Sequence, residues 1–174
     1  MTTVISDKII KLLNYRIEQE ELSSRIYLAI SICMNYKGYQ GAAKLFKKYS
    51  EEEALHASFA YDYLLNLDIR PEVPALESVD KVYEGLVEAI QAAFEHEIVI
   101  TNQCKDLAKA CASEGDYMTL ALAQKYLTEQ VEEIKKTTDL LNFIDTLTND
   151  KEYKEPCPVG LRMLDDYMGK LAKK

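Results

Sequence analysis

Glu51-Glu52-Glu53-Ala54-Leu55-His56 lies inside a long helical pattern, and its reading decides the fold. Glu53 and His56 are three residues apart, which puts both side chains on one helix face with Cβ atoms roughly 5–6 Å apart. Steps of three and four outward from this pair give Ala42, Phe46, Tyr49, Glu53, His56, Ala60 and Tyr63. That row is the inner seam of a helix from about Ala42 to Leu67, and an acid and an imidazole stand in it where apolar residues belong. A carboxylate oxygen and an imidazole nitrogen held together suit iron or manganese. Taken alone, the pair is more often a solvated surface contact, so the rest of the chain has to decide.

Three more helices repeat the anomaly. The first, from about Ser6 to Tyr36 with Ser6 as its N-cap, has the row Ile10, Leu13, Ile17, Glu20, Ser24, Tyr27, Ser31 and Met34. A third, from about Glu84 to Ala112, reads Leu86, Ile90, Ala93, Glu97, Ile100, Cys104, Leu107 and Cys111. The fourth, from about Asp116 to Leu147, reads Ala123, Tyr126, Gln130, Glu133, Thr137, Leu140 and Ile144, with Leu120, Leu127, Ile134 and Leu141 offering a competing face. The turns Lys37–Gly41 and Ser113–Gly115 are short, so the helices they join run antiparallel. Asp68–Val82 contains Pro71 and Pro74 and reads as extended. About fifteen residues at ~3.3 Å each reach some 50 Å, more than the ~37 Å of a 25-residue helix. This segment can cross the whole bundle and start the third helix parallel to the second. A second linker, Asn149–Pro158, leads to a short fifth helix over about 159–170. The expected fold is all-α: a four-helix bundle over about 6–147 with a long crossover, plus the fifth helix, in one domain over residues 1–174.

The polar residues in the seams share one depth. Glu20, Glu53 with His56, Glu97, and Gln130 with Glu133 each fall within about two residues of their helix midpoint, or ~3 Å along the axis. Midpoints coincide whichever way each helix runs, so these six side chains converge. Four carboxylates cannot share a dry core as bare charges; they would protonate instead. Two divalent cations balance them. The oxygen-rich donor set, with one imidazole and no thiolate, favours iron or manganese over structural zinc. Glu52, Glu129 and Glu132 flank the seam, as either solvated faces or a further metal site. Tyr27, two turns from Glu20, is either core packing or a hydrogen-bonding or redox neighbour of the metals. His96 points about 100° away from Glu97 and is left outside the site, at the surface or an interface.

Composition narrows the function. With 21 basic and 29 acidic residues the net charge is −8, which argues against a nucleic-acid partner. Hydrophobic residues make up 48%, enough for a full core. The run Ile26–Tyr36 falls well short of the ~18–20 apolar residues of a membrane span. The start, MTTVISDK, lacks the features of a signal peptide. Cys33, Cys104, Cys111 and Cys157 contain no C-x-x-C pair, which fits free thiols in a reducing cytoplasm.

Over nearly its whole length the chain resembles the ferritins, specifically the prokaryotic non-haem type, whose di-iron bundles carry Glu and Glu-x-x-His on facing helices. The resemblance rests on Glu20 with Ser23-Ser24 and Tyr27, Gly41-Ala42-Ala43, Glu52-Glu53-x-x-His56, His96-Glu97 and Glu129-Gln130-x-Glu132-Glu133. It implies iron storage with ferroxidase activity: Fe(II) oxidised by O₂ or peroxide, then stored as a ferric oxide mineral in a homo-oligomeric shell of 24 subunits. By motif position, Glu20, Glu53 and His56 would hold the first iron. Glu53, Glu97 and Glu133 would hold the second, with Glu53 bridging and Gln130 alongside. Glu52, Glu129, Glu132 and Glu133 match the third iron site of the bacterial type. Bacterioferritins have a His where Glu133 stands and a haem-ligating Met where Ala54 stands, so no haem is expected. The prolines flanking Cys157 and the basic tail Lys170, Lys173 and Lys174 depart from the family pattern. The competing expectation is a small di-iron or di-manganese oxidase or peroxidase that stores nothing.

Overall fold

The computed structural model describes residues 4–149 and 152–174, and five helices make up its architecture: α1 (Asp7–Tyr36), α2 (Gln40–Asn66), α3 (Leu86–Glu114), α4 (Tyr117–Thr148) and α5 (Pro158–Leu171). Residues 1–3 of the N-terminal segment and 150–151 of the second linker lie outside the described residues. Boundaries agree with the sequence expectation to within two or three residues. Ser6 caps α1 as predicted, its Oγ accepting from the Ile9 amide at 3.2 Å. Gly115 closes α3 with φ +68, a left-handed conformation that glycine adopts without steric cost. Pro158 occupies the first turn of α5, where its missing N–H costs nothing.

The inner rows are largely those read from the sequence. On α3 and α4 every residue of the predicted rows is buried, which settles the competition on α4 in favour of the Gln130–Glu133 face. On α1 the seam is shifted slightly: Ile9 and Ser23 are buried, while Ile10 and Ser24 are only partly so. Arg16 is buried on this face too, which the predicted row missed.

Two hydrophobic clusters fix the helix directions. One joins the C-terminal half of α1 (Tyr27, Ile30, Met34), the N-terminal halves of α2 and α3, the C-terminal end of α4, and α5 through Leu164 and Met168. The other joins the opposite ends: Ile9, Leu13 and Ile17 of α1, Ala60 and Leu64 of α2, Ile100 to Cys111 of α3, and Ala123 and Tyr126 of α4. So α2 and α3 begin at the same end and run parallel, and the segment between Leu67 and Gly85, without helix or strand, spans the bundle as its predicted length allows. Between the clusters α1, α2, α3 and α4 pass through a polar layer, and that layer holds the site.

Candidate metal centre

All six seam residues reach the polar layer and are buried there: Glu20 from α1, Glu53 and His56 from α2, Glu97 from α3, Gln130 and Glu133 from α4. The apolar caps above and below remove water, and the helix backbones fix the side-chain directions. Glu20, Glu53 and His56 each offer one ligand atom, and these atoms lie within 4.8 Å of one another, close enough to meet on a single ion. His56 Nδ1 stands 3.3 Å from Glu53 Oε2, as the spacing of three predicts. Across the layer, the Tyr27 hydroxyl donates to Glu97 Oε1. Tyr27 is therefore a hydrogen-bonding neighbour of the centre as well as a core residue, packed edge-on to Tyr49. Thr101 Oγ1 lies 2.7 Å from the Glu97 carbonyl and 2.8 Å from Gln130 Oε1, which ties α3 to α4 at this level.

The outlying residues are placed differently. Glu129 Oε2 is 3.9 Å from His56 Nε2, Glu52 is part-buried beside Lys136, and Glu132 is exposed. His96 lies outside the group of Glu20, Glu53 and His56 that can meet on one ion, and it is half-buried rather than on the open surface. Its Nε2 is 2.8 Å from Ser23 Oγ and its ring meets Tyr27 edge-on, behind the centre.

Similarity to known proteins gives this geometry its context. The ferritin-like domain family matches residues 10–147. A probable bacterial non-heme ferritin-like protein of Haemophilus influenzae is 30% identical over 171 residues, covering 98% of this chain and 99% of that one. The chain belongs to the prokaryotic non-haem ferritin family. A bacterial non-heme ferritin of Escherichia coli is 32% identical over 132 residues, 76% of this chain and 80% of its own. Among solved structures, an open-pore ferritin from Archaeoglobus fulgidus superposes with a TM-score of 0.86 at 25% identity, over 95% of this chain and 96% of that one.

In this ferritin chain two cations of the protein's own touch the acidic layer, and the sequence reading found neither. Arg16, one turn before Glu20 and 2% exposed, sets Nε 2.9 Å from Glu20 Oε1. That contact is a charge pair rather than an aligned hydrogen bond, since Nε and Nη2 are both without a hydrogen-bond partner. Nη1 donates to Gln103 Oε1 at 3.0 Å and lies 3.6 Å from the Cys104 thiol. Lys136 donates to Glu52 Oε2 at 2.8 Å and to Glu133 Oε1 at 2.9 Å. The signals were present, since Arg16 is four before Glu20 and Lys136 three after Glu133. A charged residue beside a seam position reads by default as outer face, however.

The two cations do not neutralise the layer. Burial pushes Glu20 up to about 8 despite Arg16. Burial, then the charge of Glu97, pushes Glu53 up to about 8. Glu97 is raised by burial against the hydrogen bond from Tyr27, and burial takes Glu133 to about 6 against the pull of Lys136. Carboxyls that hold protons near neutrality for want of positive charge are poised to exchange those protons for metal ions.

Proposed function

We propose that this chain stores iron and acts as a ferroxidase: Fe(II) is its substrate, and a ferric mineral inside a homo-oligomeric shell, of 24 subunits as the family implies, is its product. The observation that carries this reading is the convergence of Glu20, Glu53 and His56 within one ion's reach, with Glu97 and Glu133 arriving in the same buried layer from α3 and α4. Glu20, Glu53 and His56 take the first Fe(II); Glu53, Glu97 and Glu133 take the second, with Gln130 alongside. Glu53, named in both sets, bridges. Two ferrous ions held as neighbours each give one electron to the same O₂, so two Fe(II) become two Fe(III) and O₂, with two protons, becomes H₂O₂. The raised carboxyls release protons as they bind Fe(II). As hard anions they favour the ferric product. Tyr27 holds Glu97 in place through its hydroxyl. Ferric ions then hydrolyse and leave for the mineral.

Glu53→Ala removes the bridging ligand. Aerobic Fe(II) oxidation followed by stopped-flow absorbance should slow by more than about 100-fold, beyond what loss of an outer-shell partner alone costs. A wild-type rate in that variant would remove Glu53, and with it the two-iron centre, from the mechanism.

A further inference from the structure

Beside the centre, the acids expected to gather a third ion meet a cation of the protein's own. Lys136 projects from α4 one turn beyond Glu133, and its ammonium bridges Glu133 on its own helix and Glu52 on α2 at 2.9 and 2.8 Å. A positive group hydrogen-bonded to one carboxylate from each of two helices stands where a divalent ion would stand to bridge them. The ammonium is braced as well. The Tyr49 ring centroid lies 5.4 Å from Nζ, and the side chain is only 32% exposed. Lys48 supplies a second positive charge 3.9 Å from Glu52. The remaining acids do not complete a cluster: Glu129 leans toward His56 at 3.9 Å and Glu132 is exposed. Among the described residues, Glu20, Glu53 and His56 are the one group of three or more candidate ligands that can meet on a single ion.

We infer that Lys136 is a tethered cation that replaces a third metal ion, so that each chain holds two divalent ions in the centre and none between Glu52 and Glu133. This rests on the two-ion reading of the centre proposed above. It separates two tasks that a third ion would merge. Glu52 is satisfied by lysine rather than by metal, and Glu133 serves the second iron through the oxygen that Lys136 does not hold. An ion leaving the second position meets an ammonium on that side instead of an open carboxylate pair. The device depends on the charge at position 136, since an apolar side chain there would leave Glu52 and Glu133 without the cation that bridges them, Lys48 reaching Glu52 alone.

Zinc, which is redox-inert and also accepts carboxylate oxygen and imidazole nitrogen, is the probe. Crystals of the wild-type protein and of Lys136→Met are soaked in Zn²⁺, and anomalous difference maps are recorded at the zinc edge. The expected result is two peaks per wild-type chain, both among Glu20, Glu53, His56, Glu97 and Glu133, and a third peak between Glu52 and Glu133 in Lys136→Met. A peak between Glu52 and Glu133 in the wild type overturns the inference while leaving the two-ion centre intact, as does a Lys136→Met map with two peaks only. Loss of the central peaks themselves overturns the two-ion reading and this inference with it. Should Lys136→Met fail to fold, Lys136→Gln, which keeps polarity and approximate length without the charge, is expected to show the same third peak.

Discussion

Glu20 and Glu53, pushed up to about 8, keep protons that the unfolded chain would already have given up near the ordinary carboxyl value of 4.5. Between those limits the folded state binds more protons than the unfolded one, so its stability falls as pH rises through the window. Divalent metal reverses the sense, because it binds the carboxylates as anions. The gap in melting temperature between zinc-loaded and chelator-treated protein should therefore widen from pH 5.5 to 8.5. Two carboxyls across about 2.5 pH units at 1.36 kcal/mol per unit set an upper limit of about 7 kcal/mol, and each kcal/mol moves Tm by about 2–4 °C at this size, so a widening of at least about 5 °C is expected. Circular dichroism melts measure it, and a constant gap would mean that these carboxyls are ionised without metal. The same residues were the most legible part of the sequence, because an acid in an apolar seam contradicts its surroundings. Arg16 and Lys136 were not legible. Whether a long charged side chain turns inward depends on the partners it finds, and Gln103 for Arg16 and Glu52 for Lys136 become partners only once the helices have docked.

Helix α5 shows what pattern reading does and does not reach at the scale of an element. Its position in the chain and its length were predicted; its seat was not, since a short amphipathic helix can lie on several faces of a bundle. The seat is the N-terminal end of α2. Tyr39, the N-cap of α2, makes no side-chain cap bond, and Asp165 of α5 supplies one from outside, its Oδ1 accepting from the Ala42 amide at 2.8 Å. The approach is close enough to require glycine. A Cβ at Gly41 would stand 1.9 Å from the Asp165 carbonyl oxygen and 2.8 Å from the Gly169 nitrogen, both backbone atoms that cannot move aside cheaply. Gly41→Ala should therefore lift α5 from α2 and lose the cap, which by itself is worth about 0.5–2 kcal/mol, and lower Tm by at least about 5 °C. Zinc binding at the centre, some three turns along α2, should survive. An unchanged melting curve would contradict the seat, and loss of zinc binding would show that α5 supports the centre directly. The Gly41-Ala42-Ala43 stretch that helped carry the family resemblance thus has a packing explanation, one visible only with α5 in place.

At the scale of the whole chain, the two hydrophobic clusters and the polar layer between them divide the labour. The clusters set the directions of the helices, and the layer between them is where an excess of acid accumulates. That division follows from length and periodicity alone, which is why the bundle, its parallel α2 and α3, and the depth of the acids could be read without coordinates. What a chain does as an assembly lies on its outer faces, where periodicity gives only polarity. None of the described helices is long and apolar enough to cross a membrane. The proposed function has two halves, oxidation of iron in the buried layer and its retention by the assembly. The most direct measurement adds Fe(II) in air at many equivalents per chain, follows the ferric absorbance, and passes the product through a sizing column with iron and protein assayed in each fraction. Co-elution of ferric iron and protein as one very large species, at far more than two irons per chain, is the predicted result. Rapid oxidation with the protein eluting as a monomer or dimer, and the iron elsewhere, would contradict storage and leave a small di-iron oxidase.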